Sequence, residues 1–198
     1  MRILFFDTET TGLPLWREPS SHPGQPHIVD LSCELRDDDT MELLGAMDCI
    51  INPGVPISPE VAAIHGITDE IARGGREPKD ALTEFFGLVD QADKIVGHNI
   101  DFDTRIIRIQ AARIWSKDWV APVPTFCTMK ALTDVCRLPS PSGRGFKWPK
   151  LTEAIRHLFG EEMPDAHRAR PDMLACQRIY FHLHPPAAKP AQPEEQPA

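Results

Sequence analysis

The segment Arg2-Ile-Leu-Phe-Phe6 is apolar at every position after the arginine. It lacks the polar alternation of a strand with one wet face, so it predicts a strand buried on both sides in the middle of a sheet. The strand runs directly into Asp7-Thr8-Glu9. A strand's period of two turns both of these carboxylates to one face, at a sheet edge where clefts form. Two acids there are costly without a partner, and divalent cations with oxygen ligands are the obvious one, as in the paired Mg²⁺ arrangement of phosphodiester chemistry. A solvated strand end is the other reading of a lone D-x-E.

The remainder predicts an α/β domain built around that strand. Ile28 to Arg36 and Leu43 to Ile51 read as strands of an antiparallel meander around the acidic turn Asp37-Asp38-Asp39-Thr40. Ser58 is placed to cap a short helix with Pro59 at its first position and a stop at Gly66. A helix from Pro78 to Gln91, a strand from Lys94 to Gly97, a helix from Asp101 to Trp115 and a strand from Val123 to Cys127 follow. Helices at Thr128 to Cys136, Lys150 to Phe159 and Pro171 to His184 complete the expected domain, 1–184. The loop from Pro14 to Pro26 is a candidate for function by its length, and a Pro/Gly/Ser-rich loop runs from Pro139 to Pro149. Residues 185–198 contain five prolines and little that could pack, and read as a disordered tail.

Composition narrows the function classes. The formal net charge of −8 argues against gripping long duplexes through a broad basic face. Local processing of nucleic acid, with metal ions neutralising both carboxylates and phosphates, stays open. The five cysteines form no C-x-x-C pair, which indicates neither a disulfide framework nor a zinc site, and they read as small buried hydrophobes. No apolar run approaches the ~20 residues of a membrane span and no signal-peptide pattern opens the chain, so no membrane partner and a cytoplasmic location are expected.

Two further acids stand out. Asp103 falls within the apolar arc of its helix, between Phe102 and Ile106 on one side and Ile107 and Ile114 on the other. An inward carboxylate is normally paired, protonated or metal-bound, although an acid in a first helical turn also favours the macrodipole. His167 is expected just before the last helix and Asp172 in its first turns; singly, such a pair is most often a surface feature.

Taken together these segments resemble the DEDDh, or DnaQ-like, 3′–5′ exonucleases of RNase H-like fold, a group that includes the epsilon proofreading subunit of DNA polymerase III and RNase T. The motifs are Phe6-Asp7-Thr8-Glu9-Thr10-Thr11-Gly12-Leu13, Gly97-His98-Asn99-Ile100-Asp101-Phe102-Asp103 and His167-Arg168-Ala169-Arg170-Pro171-Asp172. A fourth feature is Glu60 five residues before His65-Gly66-Ile67-Thr68. The resemblance implies a mixed five-stranded sheet flanked by helices. It also implies that Asp7, Glu9, Asp103 and Asp172 hold two divalent cations, Mg²⁺ or Mn²⁺, with His167 as general base. Thr10, Thr11, Gly12 and Leu13 would line the pocket for the terminal nucleotide, with Glu60 and His65 near its sugar. A strand-ending turn and a loop histidine packed on a helix end are the structural alternatives for these.

The expected function is a metal-dependent exonuclease that releases nucleoside 5′-monophosphates from single-stranded or frayed 3′ ends of DNA. The alternatives are an RNA-trimming enzyme, a polymerase-associated proofreading subunit and a non-catalytic nucleic-acid-binding module. Only a short Pro-rich stretch follows His184, which favours free-standing activity over a polymerase partner, and a homodimer remains open. In the loop from Ser140 to Lys150, Arg144, Phe146, Lys147 and Trp148 mix cations with aromatics, which suits stacking on single-stranded bases as well as ordinary loop packing. Arg105 and Arg108 read as a solvated helix face or as phosphate contacts.

Overall fold

The computed structural model describes residues 1–164 and 166–186. Its strands are β1 (Arg2–Thr10), β2 (Ile28–Asp37), β3 (Leu43–Ile50), β4 (Lys94–Gly97) and β5 (Thr125–Cys127). Its helices are α1 (Pro59–His65), α2 (Asp69–Arg73), α3 (Pro78–Val89), α4 (Ile100–Trp115), α5 (Thr128–Ala131), α6 (Thr133–Cys136), α7 (Leu151–Phe159) and α8 (Ala169–Leu183). The sheet order is β3-β2-β1-β4-β5, so the apolar first strand is central as expected. β1 pairs antiparallel with β2 and parallel with β4; β2–β3 is antiparallel and β4–β5 parallel.

The two faces of β1 carry different cores. Leu4 and Phe6 pack with Phe85 of α3 and Ile106 of α4, whereas Ile3 and Phe5 pack with Met173, Cys176 and Tyr180 of α8. Helices therefore cover both faces, the condition under which a strand can be apolar throughout. Phe5 and Phe6 are at most 1% exposed. At ~1.5–3 kcal/mol for each large side chain removed from water, these two layers are what hold α4 and α8 at a fixed height against the central strand.

Several boundaries differ from expectation. β1 carries Asp7 and Glu9 within the strand, as expected, and runs on to Thr10, because β2 supplies partners along that whole length, with Asp7 opposite Ser32 and Glu9 opposite Asp30. The expected helix 128–136 is two short turns separated by Leu132, and β5 begins at Thr125, not Val123. α2 was not anticipated; Thr68 caps it, its hydroxyl accepting from Ile71 N at 3.3 Å. The predicted Ser58 cap and Gly66 stop of α1 are present, Gly66 in the left-handed region with φ 73°. α8 begins at Ala169, two residues before Pro171. All five cysteines are free; Cys33, Cys136 and Cys176 are buried, but Cys49 and Cys127 are only half-buried. Of the expected tail, 187–198 lies outside the described residues. Among the described residues no helix is long and apolar enough to cross a membrane.

Candidate active site

β4 is short. Its register pairs Phe5 with Val96 and it ends at Gly97, so β1 carries Asp7 and Glu9 beyond the end of its neighbour. α4 fills that gap. The chain reverses through Asn99 in the left-handed region (φ 68°), which asparagine tolerates better than most residues. Gly97 lets Ile100 pack close to the backbone, since a Cβ there would lie 2.6 Å from Ile100 Cδ1 and would push that end of the side chain aside. One turn into α4, Asp103 is 2% exposed and its Oδ1 accepts from both Thr8 N (3.0 Å) and Thr8 Oγ1 (2.7 Å). Thr8 lies between the two strand acids, so these bonds fix Asp103 relative to both.

α8 delivers its residues from the opposite face. Asp172 stands one residue before Met173 and one turn before Cys176, which pack on Ile3 and Phe5. The turn entering the helix holds His167 with φ 69°, and His167 N donates to Asp172 Oδ2 at 3.2 Å. Asp172 Oδ1 is buried without a partner. Oxygen atoms of Glu9 and Asp172 and a ring nitrogen of His167 lie within 4.8 Å of one another.

The electrostatics follow from this crowding. Burial, then the Asp103 and Asp172 carboxylates, push Asp7 well above the ordinary carboxylate range. Burial and the same two neighbours raise Glu9 to about 8. Asp103 rises to about 7 through burial, opposed by its Thr8 hydrogen bonds, and Asp172 to about 6 through burial, opposed by the His167 amide. Four carboxylates in this state cannot all ionise by themselves. Hard divalent cations, which take oxygen ligands and favour the charged form, fit both the donor set and the orphaned Asp172 oxygen.

The structure thus gathers Asp7, Glu9, Asp103, His167 and Asp172 at one end of the sheet. Thr10 and Thr11 spend their hydroxyls within the protein: Thr10 Oγ1 donates to Gly12 O at 2.6 Å, and Thr11 Oγ1 accepts from His27 N at 2.9 Å. Leu13 is left exposed beside them. Glu60 is exposed in the first turn of α1, whereas His65 is 3% exposed. Its Nδ1 accepts from Ile67 N at 3.1 Å, which puts the ring proton on a buried Nε2, and burial holds its pKa below the usual value. Arg105 and Arg108 are tied internally, Arg105 to Ser20 Oγ and Glu18 O of the 14–27 loop and Arg108 to Asp118.

Sequence reasoning missed Asp30. It is 2% exposed, faces Glu9 across the β1–β2 pair, and its Oδ2 accepts from Arg168 Nε (3.0 Å) and Ala169 N (3.4 Å). It therefore clamps the start of α8, and with it His167 and Asp172, to the strand bearing Glu9. The available signal was an acid inside the otherwise apolar run Ile28-Val29-Asp30-Leu31.

A family profile described as exonuclease matches residues 4–180. The chain belongs to this exonuclease family. Among curated proteins, it is 29% identical over 174 residues to the uncharacterized exonuclease CP81 of Escherichia phage 186, covering 85% of this chain and 81% of that protein. It is 27% identical over 205 residues to human three-prime repair exonuclease 1, covering 89% of this chain and 62% of that one. Among solved structures, Escherichia coli exonuclease I in complex with a dT13 oligonucleotide superposes with a TM-score of 0.69 at 18% identity, over 92% of this chain and 41% of that chain. That likeness is one of fold, and it shows the RNase H-like exonuclease architecture. The family member is accordingly an enzyme of the 3′–5′ exonuclease class. It spans under two thirds of the human protein and under half of exonuclease I, so those proteins' substrates and partners remain their own.

Proposed function

We propose that this exonuclease removes nucleoside 5′-monophosphates one at a time from single-stranded or frayed 3′ ends, with DNA favoured over RNA. The convergence of Asp7, Glu9, Asp103 and Asp172, with His167 at the rim, carries the reading. The four carboxylates would hold two divalent cations, Mg²⁺ or Mn²⁺ from the all-oxygen acid set. Bound there, such ions neutralise the acids, stabilise charge on the scissile phosphate and lower the pKa of a water.

The remaining work falls to the chain. A ring nitrogen of His167 takes the proton of the attacking water. The water oxygen bonds to phosphorus as the bond to the 3′ oxygen breaks; the products are a nucleoside 5′-monophosphate and a strand shortened by one nucleotide. Asp30, through Arg168 and Ala169, sets the angle from which His167 approaches. Leu13, exposed beside the acids, offers an apolar surface to the terminal base. Single-stranded DNA as substrate is supported by the fold shared with exonuclease I in its dT13 complex and by the net charge of −8, which argues against gripping long duplexes through a broad basic face. We place this activity in a single domain, 1–184, working in the cytoplasm.

The test is a 5′-labelled single-stranded oligonucleotide incubated with Mg²⁺, with its ribo- and 3′-labelled counterparts. Stepwise shortening of the 5′-labelled strand, lost in Asp7→Ala, is expected. Equal degradation by wild type and variant, or release from the 5′ end, overturns the reading.

A further inference from the structure

The stretch 137–150 contains Arg137, Arg144, Lys147 and Lys150 and no acidic residue, in a chain whose net charge is −8. Its backbone forms a small arm. Pro139 and Phe146 bridge in antiparallel fashion, Lys147 N donates to Leu138 O at 2.9 Å, and Arg137 lies over the Phe146 ring at 5.9 Å. The base of the arm is pinned. Glu153 accepts from Lys150 N (2.8 Å) and from Lys147 Nζ (2.5 Å).

The decisive anchor is His98. Its Nε2 is 3.0 Å from Pro149 O and its Nδ1 3.0 Å from Thr128 Oγ1. A carbonyl can only accept, so Nε2 carries the proton and Nδ1 accepts from the threonine. Burial holds this imidazole down to about 4, so it stays neutral and both bonds persist at physiological pH. His98 follows the last residue of β4, and the Phe5–Val96 pairing brings it level with Asp7 two residues on. Thr128 Oγ1 also lies 3.5 Å from Cys176 Sγ, one turn beyond Asp172 in α8. Pro149 is thereby fastened to the end of the sheet that carries the carboxylates, and it is buried.

The residue before it is not. Trp148 is 60% exposed and Phe146 44%, so neither ring closes a core, and Arg144 and Lys150 are also exposed. Aromatic faces interleaved with free cations, held beside an acidic catalytic cleft, match the chemistry of an unpaired nucleic-acid strand: bases stack on rings while phosphates meet cations. The acidic cleft takes the terminal nucleotide only with its cations; the arm supplies positive charge of its own for phosphates further along.

We propose that the 137–150 arm is a second substrate-binding surface, on which bases 5′ of the terminal dinucleotide stack against Trp148 and their phosphates meet Arg144 and Lys150. This rests on the nuclease reading above. His98 is the positioning residue that holds the arm at the cleft.

The experiment compares hydrolysis of dT12 with that of the dinucleotide pTpT by wild type, Trp148→Ala, Trp148→Phe and the Arg144→Ala/Lys150→Ala double variant, each matched to wild type by thermal melting. For dT12, Trp148→Ala should raise KM about five- to hundredfold, the range expected when one base stack is removed. For pTpT the change should stay under about twofold, and Trp148→Phe should restore most of the dT12 affinity. The double variant should flatten the salt dependence of dT12 binding, by about 0.7 in log–log slope for each phosphate that the two cations no longer neutralise. Equal effects of Trp148→Ala on both substrates, or none on dT12, overturn the arm while wild-type turnover leaves the nuclease reading standing. Wild type that cleaves neither substrate overturns both. A change in sedimentation with no length-dependent effect would make this surface a contact between copies of the chain, and would equally refute the proposal.

Discussion

The two helices that complete the acidic cluster do so in opposite ways. α4 brings Asp103 in already bonded to the strand: one oxygen accepts twice from Thr8, and the residue is buried in the first turn of the helix. α8 brings Asp172 in half satisfied, with Oδ1 orphaned and Oδ2 held only by the amide of His167, itself in a left-handed conformation that costs a non-glycine residue about 1 kcal/mol or more. The α4 side is an anchor. The α8 side keeps its polar capacity free and depends on a remote clamp, Asp30, for its position. Such a division suits a site where one wall must hold charge in place and the other must meet a substrate and move a proton.

The sharpest way to break this contrast is at His167. His167→Ala should lower kcat about 10²- to 10⁴-fold, the usual worth of a positioned general base, while divalent-cation affinity measured by calorimetry changes little. Asp172→Ala should lose at least as much activity and cation affinity with it. If His167→Ala weakens cation binding as severely as Asp172→Ala does, the histidine is a ligand and the proton-accepting role fails.

A smaller effect is expected at the clamp. Asp30→Ala leaves Arg168 and Ala169 N without their acceptor, and loss of such a supporting partner typically costs about 10–100-fold in activity or metal affinity. Asp30→Asn keeps a neutral acceptor and should lose less. The decrease should appear in kcat, with KM for a dinucleotide little changed. A variant with wild-type kcat would show that α8 is held by its core packing alone.

Next in size is stability on the anchored side. Asp103→Ala strands the amide and hydroxyl of Thr8, and one unsatisfied buried group costs about 1–3 kcal/mol. Measured by thermal denaturation at pH 5.5 in chelator, where repulsion between the carboxylates is largely titrated away, Asp103→Ala should melt several degrees below wild type. Asp172→Ala, which strands no buried donor, should not. Equal melting of the two variants would erase the distinction between the walls.

The same asymmetry governed what could be read from sequence. The central strand, the strand acids and Asp103 were legible because each breaks or obeys a periodicity: five residues without polar alternation, two acids two apart, one acid inside an apolar arc. The α1 cap and stop were legible as local chemistry at Ser58, Pro59 and Gly66. Asp30 and His98 were not, since their roles depend on partners 138 and 51 residues away in the chain that no local pattern names. Helix boundaries failed where tertiary packing overrode propensity, as in the break at Leu132, a fully buried residue that packs with Ile155 and Ile179. His167 and Asp172 became informative only in combination with the other motifs, because a histidine and an acid near a helix start occur on many surfaces.

The smallest predicted effect tests the cluster as a whole. Asp7, Glu9, Asp103 and Asp172 all have native pKa values raised above those of an unfolded chain, Glu9 to about 8. The native state therefore keeps protons that the unfolded state has already released, and cation-free stability must fall as pH rises from about 4 toward 8 and level off above. Cations that neutralise the acids reverse this loss, so Mn²⁺ should raise Tm more at pH 8 than at pH 5. With about 2–4 °C per kcal/mol for a chain of this size, a difference of a few degrees is expected. Asp7→Asn removes one of the opposing charges and should flatten the pH slope in chelator. A melting temperature that is level from pH 5 to 8 without cations, or an equal Mn²⁺ shift at both ends, would mean that the four acids do not share one electrostatic site, and the distinction between an anchored and an open wall would lose its basis.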